Sequence, residues 1–249
     1  MSKYVLVPDS FKGTMTSREI CEIMQHAIER IDSDAKIISV PVADGGEGTV
    51  DAFLSALGGK RKTVAATGPH FEKLSSSYGI TDDGTAVIEM SACAGLPLVH
   101  GNKNPEITTT YGVGELICNA ARSGARRIVI GLGGSATNDG GCGAAAAAGI
   151  KFYDKSGKSF IPVGRTLKDI ASIDYSGLDS ALSGVSISAM CDVDNPLLGE
   201  TGAANVFGPQ KGANVAMIAR LDAGLKQLAE VSGKAKLASM PSAGAAGGM

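Results

Sequence analysis

The sequence predicts an α/β fold. Short apolar runs alternate with stretches whose apolar residues recur at helical spacing, strands lead directly into glycine-rich loops that open helices, and aromatic residues supply only 4% of a chain with 34 glycines. Strand–loop–helix units in series build parallel sheets, and small side chains let the layers approach closely.

Tyr4–Val7 reads as a strand stopped by Pro8. Thr16 and Glu19 form a capping box, in which hydroxyl and carboxylate satisfy each other's backbone amides. Behind it Ile20, Ile23, Met24, Ala27, Ile28 and Ile31 repeat at helical spacing. A second strand is expected over Lys36–Val42, then a loop, Ala43–Thr49, and a helix carrying Val50, Phe53, Leu54 and Leu57 that stops at Gly58-Gly59. Beyond Arg61 the pattern changes to short strand-like runs at Thr63–Ala66, Ser75–Ile80 and Ala86–Met90, the last two a hairpin about Asp82-Asp83-Gly84. That change marks a domain boundary between residues 60 and 61. A helix over 110–123, a strand over 126–132, a glycine loop, an alanine-rich helix over 140–148 and a strand at Ile150–Tyr153 follow. Val185–Cys191 is the next strand, and a helix at 215–231 carries Ile218, Leu221, Leu225 and Leu228. The small-residue stretch Ser242–Met249 has the composition of a loop leading into a helix.

Composition excludes several functions. With 44% hydrophobic and 19% charged residues the chain is not disordered. Its 23 basic and 25 acidic residues give a formal charge of −2, which offers nucleic acid no basic face. No apolar run approaches the roughly 18 residues of a membrane span. The five cysteines, at 21, 93, 118, 142 and 191, show neither metal-ligand spacing nor a disulfide framework. Cys21, Cys118 and Cys142 read as core filler, and a reducing cytoplasm is the expected compartment.

The chemistry-bearing residues sit in loops after strands. Gly131-Leu-Gly-Gly-Ser-Ala-Thr-Asn-Asp-Gly-Gly141 joins a strand to a helix. Its successive amides and the helix end behind them suit a phosphate. Ser135, Thr137 and Asn138 would donate to phosphate oxygens and Asp139 would hold Mg²⁺. The same loop fits a loose dinucleotide fingerprint, Gly131-x-Gly133-x-x-Ala136, with Asp154 as a ribose acid, which leaves an NAD-dependent oxidoreductase open. Pro8-Asp9-Ser10-Phe11-Lys12-Gly13 offers a carboxylate, a hydroxyl and a cation. Asp44-Gly-Gly-Glu47 offers two acids that would bind Mg²⁺ or act as base, and Lys12 would neutralise a transferring phosphoryl group. Helix capping and turn chemistry explain Asp9 and Asp44 equally well one at a time. Strand alternation would place Asp192 and Asp194 on one face, sharing a cation. Lys211, in Phe207-Gly-Pro-Gln-Lys-Gly212, suits phosphate or a solvated turn.

Taken together, PDSFKG (8–13), VADGGEGT (42–49), TTTYGVGELI (108–117), GLGGSATNDGG (131–141), CDVDNPL (191–197), VFGPQKGA (206–213) and AGAAGGM (243–249) make the chain resemble the glycerate kinase family. The resemblance implies ATP- and Mg²⁺-dependent phosphorylation of D-glycerate to 2-phosphoglycerate or 3-phosphoglycerate. It implies two α/β domains facing a cleft: a flavodoxin-like one beginning at residues 1–60, and an inserted mixed-sheet domain over 61–240. Residues 241–249 would then begin a returning segment cut short in this chain. That departure implies either a homo-oligomer, a complementing C-terminal fragment, or an inactive piece. Carried onto these residues, the family chemistry assigns Gly133, Gly134, Ser135, Thr137 and Asn138 to phosphate. Lys12, Asp44 and Asp192 would be catalytic, Asp9, Ser10, Glu47 and Lys211 would bind substrate, and Asp139 and Asp194 would bind metal.

Overall fold

A computed structural model describes residues 2–11, 14–99, 101 and 103–249. It is an α/β molecule whose described strands form three sheets. Strand β1 (Lys3–Leu6) pairs in parallel with β2 (Lys36–Ser39), Tyr4 opposite Ile37, and helix α1 (Ser17–Glu29) connects them. The capping box forms as expected. Thr16 Oγ1 accepts the Glu19 N–H, and a Glu19 carboxylate oxygen accepts the Thr16 N–H at 2.7 Å. Leu6, Ile20 and Cys21 are buried, whereas Val5, Val7, Ile23 and Ile31 remain exposed. Strand β2 ends at Ser39 rather than Val42, because Pro41 has no N–H for a sheet ladder.

Helix α2 (Thr49–Leu57) turns toward the next sheet, where Val50 and Leu54 lie against Gly79. That sheet contains β3 (Lys60–Thr67), β4 (Lys73–Ile80), β5 (Thr85–Glu89), β6 (Arg127–Gly131) and β10 (Ser186–Met190) in the order β10-β6-β5-β4-β3. The three strands β10, β6 and β5 run parallel, and β4 is antiparallel to both of its neighbours, β5 and β3. Between β5 and β6 lie the short helix α3 (Ser91–Ala94) and helix α4 (Tyr111–Arg122). Tyr78, Ile88, Met90, Leu116 and Ile128 are buried in the resulting core. Each buried Leu or Ile side chain is worth roughly 1.5–3 kcal/mol against exposure.

Helix α5 (Cys142–Ala147) crosses α4 so closely that a Cβ on Gly114 would strike the backbone of Ala144, which explains the glycine and alanine content of both. The chain then leaves the main sheet. Strand β7 (Lys151–Tyr153) pairs antiparallel with β8 (Ser159–Phe160) and β9 (Ser172–Asp174) in a separate sheet. Helix α6 (Ala203–Phe207) and the long α7 (Val215–Val231) complete a second apolar cluster, in which Cys142, Phe152, Leu167, Ile170 and Leu225 are buried. No helix among the described residues is long and apolar enough to cross a membrane.

The terminal small-residue stretch is docked. Gly140 N–H donates to the Gly247 carbonyl and Gly244 N–H to the Asn195 carbonyl, and Ala245 and Ala246 are buried.

Candidate functional site

The parallel strands β5, β6 and β10 end side by side at Glu89, Gly131 and Met190. In an open α/β sheet, ligands collect at these carboxyl ends. The loop after β2 folds over them. Gly133 N–H donates to the Gly45 carbonyl at 2.9 Å, and Leu132 N–H to the Met190 carbonyl at 3.0 Å. The two glycine loops touch backbone to backbone, and a Cβ at Gly131 or Gly133 would collide with Gly45 or Gly46. Asp44 shapes its own loop by accepting the Gly46 N–H at 3.0 Å. Ser17 holds the neighbouring loop in place, donating to the Pro8 carbonyl and accepting the Val42 N–H.

Beside this contact lies a cavity of about 230 Å³ lined by Asp44, Gly133, Gly134, Ser135, Asp192 and Lys211. Cys191, Phe207, Gln210, Ala245 and Ala246 are also on its wall. Sequence reading did not assign these five to the site, although each lies in one of the seven motifs. The cavity is half open to solvent and gathers two carboxylates, a serine, a glycine loop and an ammonium.

Lys211 is 2% exposed. It is therefore not the solvated turn residue that its glycine neighbours allow. Its Nζ donates to the Thr137 carbonyl at 2.6 Å. Burial pushes the ammonium down to about 7, and the charge of Asp139 pulls in the other direction.

Asp139 is not placed to be a Mg²⁺ ligand. It is fully buried, does not line the cavity, and accepts from four donors: Thr110 N–H and hydroxyl, Gly141 N–H and Gly143 N–H. It joins the starts of α4 and α5, where the unpaired amides of both helices favour an anion. Burial nevertheless raises its carboxyl above the usual range. Thr137 and Asn138 also lie behind the cavity rather than on it, both buried. The Thr137 hydroxyl and both polar atoms of the Asn138 amide have no hydrogen-bond partner among the described residues. Unmet buried polar atoms cost about 1–3 kcal/mol each, so their concentration here exceeds what packing alone would leave.

The remaining expected residues separate. Ser10 and Glu47 line a different, larger cavity of about 620 Å³ between the start of α1 and α2. Asp9 is exposed and accepts the Ser10 N–H at 2.7 Å, and it lines neither cavity. Asp194 is exposed and does not line the smaller cavity as Asp192 does. Strand β10 ends at Met190, so the alternation expected to pair the two aspartates does not extend to them. Lys12 lies outside the described residues. Among the described residues, no three His, Cys, Asp or Glu side chains gather as a metal-binding group.

The dinucleotide reading does not survive the topology. A dinucleotide loop joins two neighbouring strands of one parallel sheet, yet β7, which follows α5, pairs antiparallel in another sheet. Asp154 is engaged in its own turn, accepting from the Ser156 N–H, the Ser156 hydroxyl and the Lys158 N–H.

Comparison with known proteins agrees with the motifs. The family model described as the glycerate kinase family matches residues 4–249. The chain is 48% identical over 252 residues to glycerate 2-kinase of Escherichia coli K12, and 46% identical over 252 residues to glycerate kinase of Bacillus subtilis 168. Each match covers 99% of this chain and 66% of the relative, so the chain spans just under two thirds of the length of these curated proteins. A crystal structure from Salmonella typhimurium LT2, provisionally named glycerate kinase 2, superposes with a TM-score of 0.88 at 42% identity, covering 100% of this chain and 68% of that one. By the family match along nearly its whole length and by its relatives, the chain belongs to the glycerate kinase family.

Proposed function

We propose that the full-length protein phosphorylates D-glycerate with ATP, giving 2-phosphoglycerate. The observation that carries this reading is the meeting of Asp44, Gly133, Gly134, Ser135, Asp192 and Lys211 on one cavity at the carboxyl ends of the parallel strands. The name of the Escherichia coli relative, glycerate 2-kinase, supports the choice of hydroxyl.

In phosphoryl transfer the protein chiefly positions groups and neutralises charge. The amides of Gly134 and Ser135, with the Ser135 hydroxyl, cradle the phosphates, Gly133 gives them room to approach the backbone while its own N–H holds the Gly45 carbonyl, and Lys211 offsets their charge. Asp192, on the exposed side of the cavity, accepts the proton of the attacking glycerate hydroxyl. That hydroxyl oxygen bonds to the γ-phosphorus as the bond to the leaving ADP oxygen breaks. Asp44 supplies a hard oxygen ligand suited to Mg²⁺, which is held by one or two carboxylates together with substrate phosphates. The ion would neutralise charge on the transferring group. Asp9, Ser10 and Glu47 are retained as substrate contacts, Lys12 as the catalytic cation that would meet the transferring phosphoryl group, and Asp194 as a second acid for the metal.

The test is D-glycerate-dependent ADP formation by the full-length protein, with ³¹P NMR to identify the ester. A 2-phosphoglycerate signal is expected. No glycerate-dependent ADP overturns the reading, and a 3-phosphoglycerate signal overturns the choice of hydroxyl.

A further inference from the structure

Glu89 lies outside the seven motifs and does not line the 230 Å³ cavity, yet it joins the two loops that build it. Its backbone ends β5 in register with Gly131, the first residue of the glycine loop, and Met90 N–H next to it donates to the Gly131 carbonyl at 2.9 Å. Its side chain reaches the other way. A Glu89 carboxylate oxygen accepts the N–H of Val50, in the first turn of α2, at 2.7 Å.

Helix α2 has no cap of its own. Gly48 stands at its N-cap with a φ of +93° and no side chain to offer. The unpaired amides of a helix start require an acceptor, and here it comes from a residue 39 positions further along the chain. The loop so anchored, residues 44–49, carries Asp44, and its Gly45 carbonyl receives the Gly133 N–H. Burial pushes the Glu89 carboxyl above its usual range; the Val50 N–H, then Arg61 and the Gly48 amide pull it back down, and the charge of Asp51 adds to the rise. Arg61 and Asp51 are paired with each other at 2.6 Å. A carboxylate held in this environment costs stability, which a residue serving packing alone would not need to do.

We propose that Glu89 is a positioning residue of the phosphoryl-transfer site, fixing the Asp44 loop against the Gly133–Ser135 loop by capping α2 from the neighbouring strand. The proposal rests on the kinase reading above. Three variants test it in the full-length protein, by steady-state kinetics and by hydrogen exchange of residues 44–52. Glu89→Ala is expected to lower kcat/KM at least ten-fold and to speed exchange in 44–52 while the core strands stay protected. Glu89→Gln keeps an oxygen for the Val50 N–H and is expected to recover kcat/KM to within three-fold of the parent. Glu89→Asp, one methylene short, is expected to behave like Glu89→Ala. The proposal is overturned if Glu89→Ala stays within two-fold of the parent, if Glu89→Gln is as impaired as Glu89→Ala, or if exchange rises throughout the molecule rather than in 44–52. Inactivity of the parent protein would instead remove the kinase reading, and the exchange pattern would still decide what Glu89 holds.

Discussion

Gly133 donates its backbone N–H to the carbonyl of Gly45 at 2.9 Å, so the loops after β6 and β2 are hydrogen-bonded at the edge of the cavity. A Cβ at position 133 would meet the backbone of Gly46 rather than a movable side chain. Gly133→Ala is therefore expected to push the loops apart. Overpacking of this kind costs about 1–3 kcal/mol, readable by urea denaturation, and turnover of the full-length protein should fall by more than the folded fraction does. Gly84→Ala is the control for stability, since Gly84 has a φ of +80° but open space for a methyl group. Equal turnover in both variants would show that the contact is not needed.

The lowered pKa of Lys211 gives stability a definite pH dependence. Between about 7 and its ordinary 10.5, the unfolded chain binds the lysine proton while the folded chain releases it. Stability rises with pH wherever the unfolded state holds more protons. The cost of burying the charge is thus fully present below about 7 and is relieved as pH climbs toward 10.5. Lys211→Met lacks this dependence. Its melting temperature relative to the parent should be most favourable at pH 6 and should decline steadily through pH 9. A difference that is constant with pH would show that Lys211 titrates normally.

Asp139 is expected to reveal itself as structural. Asp139→Ala leaves the amides of Thr110, Gly141 and Gly143 without their acceptor and Lys211 without its nearby opposite charge. Removing one member of a buried charged set costs about 3–5 kcal/mol. Thermal or urea unfolding should show a loss of this order without any added metal. A variant of parental stability with altered Mg²⁺ dependence would return Asp139 to the ligand set.

Thiol chemistry gives an independent probe of the cavity. Cys191 is partly exposed and lines it, while Cys21, Cys93, Cys118 and Cys142 are buried. Burial pushes the Cys93 thiol up to about 11 and that of Cys142 well above its usual value. Iodoacetamide should label Cys191 first, and ATP should slow that labelling in the full-length protein. Peptide mass spectrometry reads both effects; first labelling at Cys93 or Cys142 would contradict their burial.

Much of the fold was legible because it is encoded locally. The Thr16–Glu19 capping box, the periodicity of α1 and α7, and the hairpin of β4 and β5 each depend on residues a few positions apart. Elements such as β8, β9 and α6 were not legible. They are two to five residues long and carry no period of their own. The strand expected at Ile150–Tyr153 exists, but only its partners show that it belongs to another sheet.

By itself the sequence determined the α/β class, the family motifs and the residues able to bind anions or move protons, because these follow from side-chain type and short-range spacing. The tertiary structure alone decided which of those residues share a cavity. It brought Asp44, Ser135, Asp192 and Lys211 together, turned Asp139 inward to cap two helices, and placed Glu89 as the cap of a distant one. Those outcomes depend on strand order and on backbone contact between glycines far apart in the chain. Neither leaves a mark in a local stretch of sequence, because a hydrogen bond between distant segments is fixed by how the layers pack and not by its neighbours along the chain.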